Sequence, residues 1–166
     1  MFNVHSLYIF CPLCSKVMQK YLHGPFVLRL IQLFQSQDLR ERDYLKTILH
    51  RIYGRFMPLR QQIRTEIANE CFRYVYGDYR MVHGIAEFLD IFSSIINGFS
   101  IPVKEEHKLF LRNVLLPLHK CDKYEVYFQQ LADCCVLFVN KDQTIATTVL
   151  AGLLKVQSYI RPFIWH

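Results

Sequence analysis

The chain has 166 residues, a formal charge of +6 and a pI near 9.0. Apolar residues make up 52% and charged residues 20%, which excludes an intrinsically disordered chain, and six Gly with six Pro exclude collagen-like and Pro-rich linker compositions. No apolar run exceeds roughly eight residues where a membrane span needs roughly 20, so no transmembrane helix is expected.

The opening segment MFNVHSLYIFCPLCSKVM is apolar in its middle but has no Lys or Arg ahead of that stretch and no small-residue cleavage site after it, so no secretory signal is expected. Its Cys11-Pro-Leu-Cys14 is a C-x-x-C without a second ligand pair or a βαβ context, which gives no metal or redox site. From about residue 25 one pattern recurs: apolar positions three and four apart, broken by short polar, Gly or Pro stretches. Phe26, Leu28, Leu30, Ile31 and Leu33 predict a first helix that the polar QSQD ends. Leu45, Ile48, Leu49, Ile52 and Phe56 predict a second, with Asp38 as its N-cap and a stop before Pro58. A third carries Ile63, Ile67, Cys71 and Val75 and ends at Gly77, and a fourth carries Ile85, Phe88, Leu89, Phe92, Ile95 and Ile96 up to Asn97-Gly98. Phe110, Leu111, Val114 and Leu115 predict a fifth that stops before Pro117, Val126, Leu131, Cys135 and Phe138 a sixth, and Thr144 to Leu154 a seventh.

Paired in order, these helices begin near residues 26, 60, 105 and 143, a spacing of roughly 35 to 45 residues that belongs to helical-hairpin repeats. The expected fold is therefore all-α, a solenoid of HEAT or armadillo type. Six cysteines, several of them within apolar helical pattern, do not make a secreted disulfide framework. Cys71, Cys134 and Cys135 read as small core residues, and the expected compartment is reducing: cytoplasm, nucleus or both. The positive charge suits nucleic acid, a phosphorylated peptide or an acidic protein surface and does not choose among them. No concentrated Lys/Arg run or aromatic RNA-binding string speaks for nucleic acid, and no Ser/His/Asp set, phosphate-binding loop or paired carboxylates speak for an enzyme.

Three strings carry more than periodicity: LRERDYLKTILHRIYGRF (39–56), HGIAEFLDIFSSIINGFSIPVKEEHKLFL (83–111) and VLLPLHK (114–120). They resemble the B-prime family of regulatory subunits of protein phosphatase 2A, continuously from about Lys16 to about Lys155. The resemblance implies a truncated member of a family of non-catalytic subunits, a partial right-handed α-α superhelix without a cofactor. It implies docking on the phosphatase scaffold and catalytic subunits, targeting of the phosphatase in signal transduction, and no nucleic-acid partner. It further implies a groove for short peptides of the form Leu-x-x-Ile-x-Glu, strengthened by phosphorylation or acidic residues. The positions that match the family's groove are His50, Arg51, Tyr53 and Arg60, then Ile91 and Ile95, then Lys104 and His107. Ile91 and Ile95, one turn apart, are expected to wall the slot for the aliphatic anchors, while Arg51, Arg60 and Lys104 supply cationic donors for carboxylate or phosphate.

The chain departs from the family in four places. Residues 1–15 and the tail 156–166 leave the pattern, so that residues 16–155 form the repeat region. The tail's Val156, Tyr159, Ile160, Phe163, Ile164 and Trp165 either cover the end of the solenoid or form a loose, sticky end. The loop QSQDLRERD (35–43) is less acidic than in typical members and has Leu39 where they have Pro, and the segment from Gly77 to Met81 is likewise less acidic. These losses predict weaker assembly with the phosphatase than with peptide.

Overall fold

A computed structural model describes residues 21–77 and 83–160, with side chains as far as residue 156. Among the described residues the regular structure is helical throughout: α1 (Gly24–Gln32), α2 (Leu39–Arg55), α3 (Arg60–Tyr76), α4 (Ile85–Asn97), α5, α6 (Phe128–Lys141) and α7 (Ala146–Ile160). α5 is a composite rod of Glu105–Phe110, a π-helical stretch Leu111–Leu115 and a last turn Leu116–Leu118. Each helix packs on the next but one: α2, α4 and α6 form one layer, α1, α3, α5 and α7 the other. That alternation is the two-layer stacking of an α-solenoid, the architecture expected from the sequence. The Cys11-Pro-Leu-Cys14 segment, residues 78–82 and the tail beyond Ile160 lie outside the described residues, and the side chains of Tyr159 and Ile160 do too. The boundary expected at Lys155 falls inside α7, where Val156 is buried.

The helix boundaries follow local chemistry. Asp38 has extended backbone and its carboxylate accepts the Arg40 N–H at 2.9 Å, the N-cap of α2. Pro25 stands in the first turn of α1, where its missing N–H costs nothing. Gly84, ahead of α4, has φ +87°, and a Cβ there would lie 2.8 Å from the Cβ of Phe34, so glycine is required twice over. The close approach it permits lets Phe34 pack on Phe88 with ring centroids 4.6 Å apart.

Two expectations are corrected. The fifth helix does not stop before Pro117 but runs through it to Leu118. In a helix Pro117 cannot donate to the carbonyl four residues back, that of Asn113, and the Tyr76 hydroxyl donates to this oxygen instead, at 2.9 Å. The π-type bonding just upstream, with the Leu116 N–H on the Leu111 carbonyl, re-spaces the ladder ahead of the proline. Val126 likewise is not part of the sixth helix: it sits in a 3-10 turn, Tyr124–Val126, with half its surface exposed.

One core runs the length of the two layers, from Val27 and Ile31 of α1 to Val149 of α7. Cys71, Cys134 and Cys135 lie in it, and burial pushes the Cys71 thiol up to about 12 and the Cys135 thiol to about 11, as inert packing residues require. α2 is tied to α4 by two ion pairs. Arg42 Nε donates to Glu87 Oε1 at 2.8 Å with both side chains nearly covered, and Lys46 Nζ donates to Asp90 Oδ2 at 2.9 Å at the half-exposed rim.

Candidate functional site

The tight corner between α2 and α3, residues Phe56 to Leu59, brings the last turn of one helix against the first turn of the next. Arg60 uses that proximity to cap α2: its Nε donates to the Tyr53 carbonyl and its Nη2 to the Gly54 carbonyl, both at 2.9 Å. These are carbonyls that the end of a helix leaves unpaired, and a cation is favoured there by the helix dipole. The guanidinium carbon lies 5.4 Å from the centroid of the Tyr53 ring, so Arg60 also holds that ring in place. One turn along α3, Arg64 Nη1 donates to the Tyr53 hydroxyl at 3.1 Å. Tyr53 is thereby fixed by both arginines.

On the far side of Arg64 stands α5. The His107 ring stacks flat on Phe99, with centroids 3.8 Å apart and planes 2° from parallel, and its Nε2 is 3.5 Å from Glu106 Oε1. Burial holds the imidazole below its ordinary pKa. The Glu106 charge opposes this, while the Arg64 and Lys104 charges add to it. His107 is therefore neutral at pH 7 and sits within the field of two cations. Between α3 and α5 a cavity of about 120 Å³ opens, lined by Gln61, Arg64, Thr65 and Ala68 of α3, Phe92 of α4, and Glu106, His107 and Phe110 of α5. Phe92 and Phe110, stacked at 4.3 Å, form its apolar floor.

The structure thus brings Tyr53, Arg60 and His107 together around Arg64, and Lys104 stands near enough to His107 for its charge to act on the imidazole. His50 is exposed and Arg51 half-buried on the turn of α2 that precedes Tyr53. Ile91 and Ile95 do not wall an open slot: they are 1% and 3% exposed and belong to the core. The reason is the position of α4 between α2 and α6, with the other layer beneath, which covers the helix on most of its circumference. Arg64, Phe92 and Phe110 were not anticipated. Arg64 had a legible signal, being one turn after Arg60 on the same helical face, whereas the two phenylalanines read as ordinary core.

Among the described residues no three His, Cys, Asp or Glu side chains group as a metal site, and no helix is long and apolar enough to cross a membrane. What the arrangement offers is a small aromatic floor bordered by one guanidinium, Arg64, by the hydrogen-bonding groups of Gln61, Thr65 and His107, and by the Glu106 carboxylate on the His107 side, so an aliphatic side chain fits the floor and a carboxylate is favoured only at the Arg64 side.

Residues 8–157 match the family of the protein phosphatase 2A regulatory B subunit (B56 family). The B' beta isoform of the 57 kDa regulatory subunit of serine/threonine protein phosphatase 2A from Arabidopsis thaliana is 56% identical over 141 residues, covering 85% of this chain and 28% of the relative. The 59 kDa B' eta isoform of the same plant is 54% identical over 141 residues, with the same coverage. The human delta isoform of the 56 kDa regulatory subunit is 52% identical over 139 residues, covering 84% of this chain and 23% of the relative. The chain spans about a quarter of the length of these relatives and belongs to the B56 family of regulatory B subunits.

Proposed function

We propose that this chain is a non-catalytic regulatory subunit of protein phosphatase 2A, acting in the cytoplasm or nucleus, that captures substrate peptides of the form Leu-x-x-Ile-x-Glu. The observation that carries the reading is the chain of contacts from Tyr53 through Arg64 to His107, which places one guanidinium and one imidazole in the wall of a cavity with an aromatic floor and holds a phenol and a second guanidinium next to that wall. In this reading the floor formed by Phe92 and Phe110 takes an aliphatic anchor, and Arg64 and Lys104 receive the peptide carboxylate. Ile91 and Ile95 support that floor from the core rather than touching the peptide.

Fluorescence anisotropy with a labelled Leu-x-x-Ile-x-Glu peptide tests this directly. Removing a donor whose loss leaves a buried carboxylate unpaired costs about 1 to 3 kcal/mol, roughly five- to 150-fold in affinity. Arg64→Ala and Lys104→Ala are expected to weaken binding on that scale. Absence of binding at high micromolar protein, or binding indifferent to both substitutions, defeats the reading. Docking on the scaffold and catalytic subunits belongs to the same proposal. Interfaces of solenoids are spread over many repeats, so this 166-residue chain is expected to co-purify with those subunits at well below equal stoichiometry.

A further inference from the structure

We propose that peptide binding at the cavity between α3 and α5 takes up a proton: a peptide carboxylate on the Arg64 wall makes an imidazolium of His107 on the α5 wall, so the site holds its ligand more tightly in mild acid. The inference rests on the peptide-binding reading above and concerns the regulation of that same site.

His107 is placed for such a role. It lines the cavity, yet its side chain is only 12% exposed and lies flat against Phe99 with centroids 3.8 Å apart. The charged groups that act on it come from two helices: Glu106 of α5 with Lys104 at its N-cap, and Arg64 of α3. α4 and the turn after it present the uncharged rings of Phe92 and Phe99, and Phe138 of α6 reaches Phe99 at 6.0 Å between centroids. Lys108, next along α5, pairs with Asp142 at 3.7 Å.

Without a ligand, burial and the two cations outweigh the one carboxylate, and the ring stays neutral at pH 7. Glu106 does not reverse this, because it is half-exposed and stands 3.5 Å from Nε2, beyond an ordinary hydrogen bond. A peptide carboxylate on Arg64 cancels one opposing charge and brings a second anion into a space roughly 6 Å across, less than the Debye length of roughly 8 Å. Both changes favour the imidazolium, and the Phe99 face attracts the cation once it forms. The proton affinity of the ring therefore rises on binding. Linkage is reciprocal, so the proton strengthens peptide binding by the same factor as the peptide strengthens proton binding. The free ring titrates below its ordinary 6.5 and the bound ring higher, and between those two midpoints affinity climbs as the pH falls.

The test is isothermal titration calorimetry of wild-type protein with Leu-Ala-Ala-Ile-Ala-Glu, acetylated and amidated at its ends. Two buffers of unlike ionisation enthalpy at about pH 6.5 read the protons taken up. The single carboxylate of this peptide titrates near about 4.3, and no amine or phosphate accompanies it, so the ligand itself contributes no proton in this range. Expected are about half a proton taken up per peptide bound and an affinity about three- to tenfold higher at about pH 6 than at about pH 7.5, with the uptake lost in His107→Gln. A purely structural role of His107 would lower affinity alike at both pH values and leave the uptake in place. Uptake that persists in His107→Gln assigns the proton elsewhere, to exposed His50 first, and overturns the inference. Should that variant fail to fold or to bind, the His107 imidazole resonance of wild-type protein is followed by nuclear magnetic resonance through the same pH range, with and without peptide. It is expected to titrate higher in the complex, and an unmoved or lower midpoint overturns the inference equally. Wild-type protein that binds this peptide at neither pH overturns the functional reading and this one with it, whereas binding without proton uptake removes this one alone.

Discussion

Replacement of Arg60 by alanine separates two roles that one residue combines. Its Nε and Nη2 bond the carbonyls of Tyr53 and Gly54 at 2.9 Å, and its guanidinium carbon lies 5.4 Å from the Tyr53 ring centroid. A net hydrogen bond from a charged donor to a half-exposed carbonyl is worth about 0.5 to 1 kcal/mol, and a cation over an exposed ring about 0.5 kcal/mol, so the loss of both bonds and the ring contact is about 1.5 to 2.5 kcal/mol. For a chain of this size that corresponds to a melting temperature lowered by about 5 to 8 °C. Differential scanning fluorimetry of wild type, Arg60→Ala and Arg60→Lys reads it. Lysine keeps the charge but has no fork with which to span two carbonyls, so it should recover less than half of the loss. An Arg60→Ala protein that melts within about 1 °C of wild type would refute the capping role, and any loss of peptide affinity would then belong to direct contact alone.

Three further outcomes follow from the packing. Phe138→Ala removes a fully buried ring of α6 and is expected to cost about 3 to 5 kcal/mol in urea unfolding; a loss below about 1 kcal/mol would mean that the α4–α6 contact is not part of the cooperative core. Tyr76→Phe deletes the donor to the Asn113 carbonyl at a half-exposed site and should cost about 0.5 to 1.5 kcal/mol, whereas the same change in a Pro117→Ala background, where the carbonyl regains a helical partner, should cost less; equal costs would sever the proposed link. Burial holds His107 and His119 below their ordinary value near 6.5, so the unfolded chain binds protons more readily than the folded one. Their contribution to stability is complete above 6.5 and is lost as the pH falls through that value toward the depressed folded ones. Urea unfolding at about pH 7.5 and about pH 5.5 should therefore show lower stability in acid, with a smaller difference in His119→Asn; an identical difference in both proteins would refute the assignment.

Much of the fold was legible because helix ends are written in short-range chemistry. Asp38 as the N-cap of α2 and Gly77 as the end of α3 depend on residues within one turn. Pro117 misled for the opposite reason: what makes it tolerable inside α5 is a tyrosine hydroxyl on α3, 37 positions from the carbonyl it serves, and no local rule contains it. Val126 misled because it keeps the spacing of the α6 stripe while Lys123, in the left-handed region at φ 59°, breaks the chain direction just before it. The buried ion pair between α2 and α4 was equally beyond local reading, since Arg42 and Glu87 stand 45 positions apart.

The site divides along the same line, and charge shows why. The sequence has 20 basic against 14 acidic residues, a surplus that by itself points to an acidic partner without saying where. Folding commits most of the described carboxylates to particular cations: Asp38 to Arg40, Glu87 to Arg42, Asp90 and Asp43 to Lys46, Glu70 to Arg73, Glu105 to Arg112 and Asp142 to Lys108. Arg60 and Arg64 are treated differently, since the bonds that hold them go to carbonyl and phenol oxygens, which orient a guanidinium without cancelling its charge. Two oriented cations therefore stand at the α2–α3 corner, beside a cavity whose floor is aromatic. Hydrophobicity could not have led there, because the apolar face of α4 runs through Phe88, Ile91, Phe92, Ile95 and Ile96, and its isoleucines look alike whether they face a ligand or a neighbour. A surface lysine without such bonds would lose side-chain freedom on meeting a carboxylate, whereas Arg60 and Arg64 are already ordered by the fold, so on the proposed reading the carboxylate of a peptide would meet at this corner a charge that needs no further arranging.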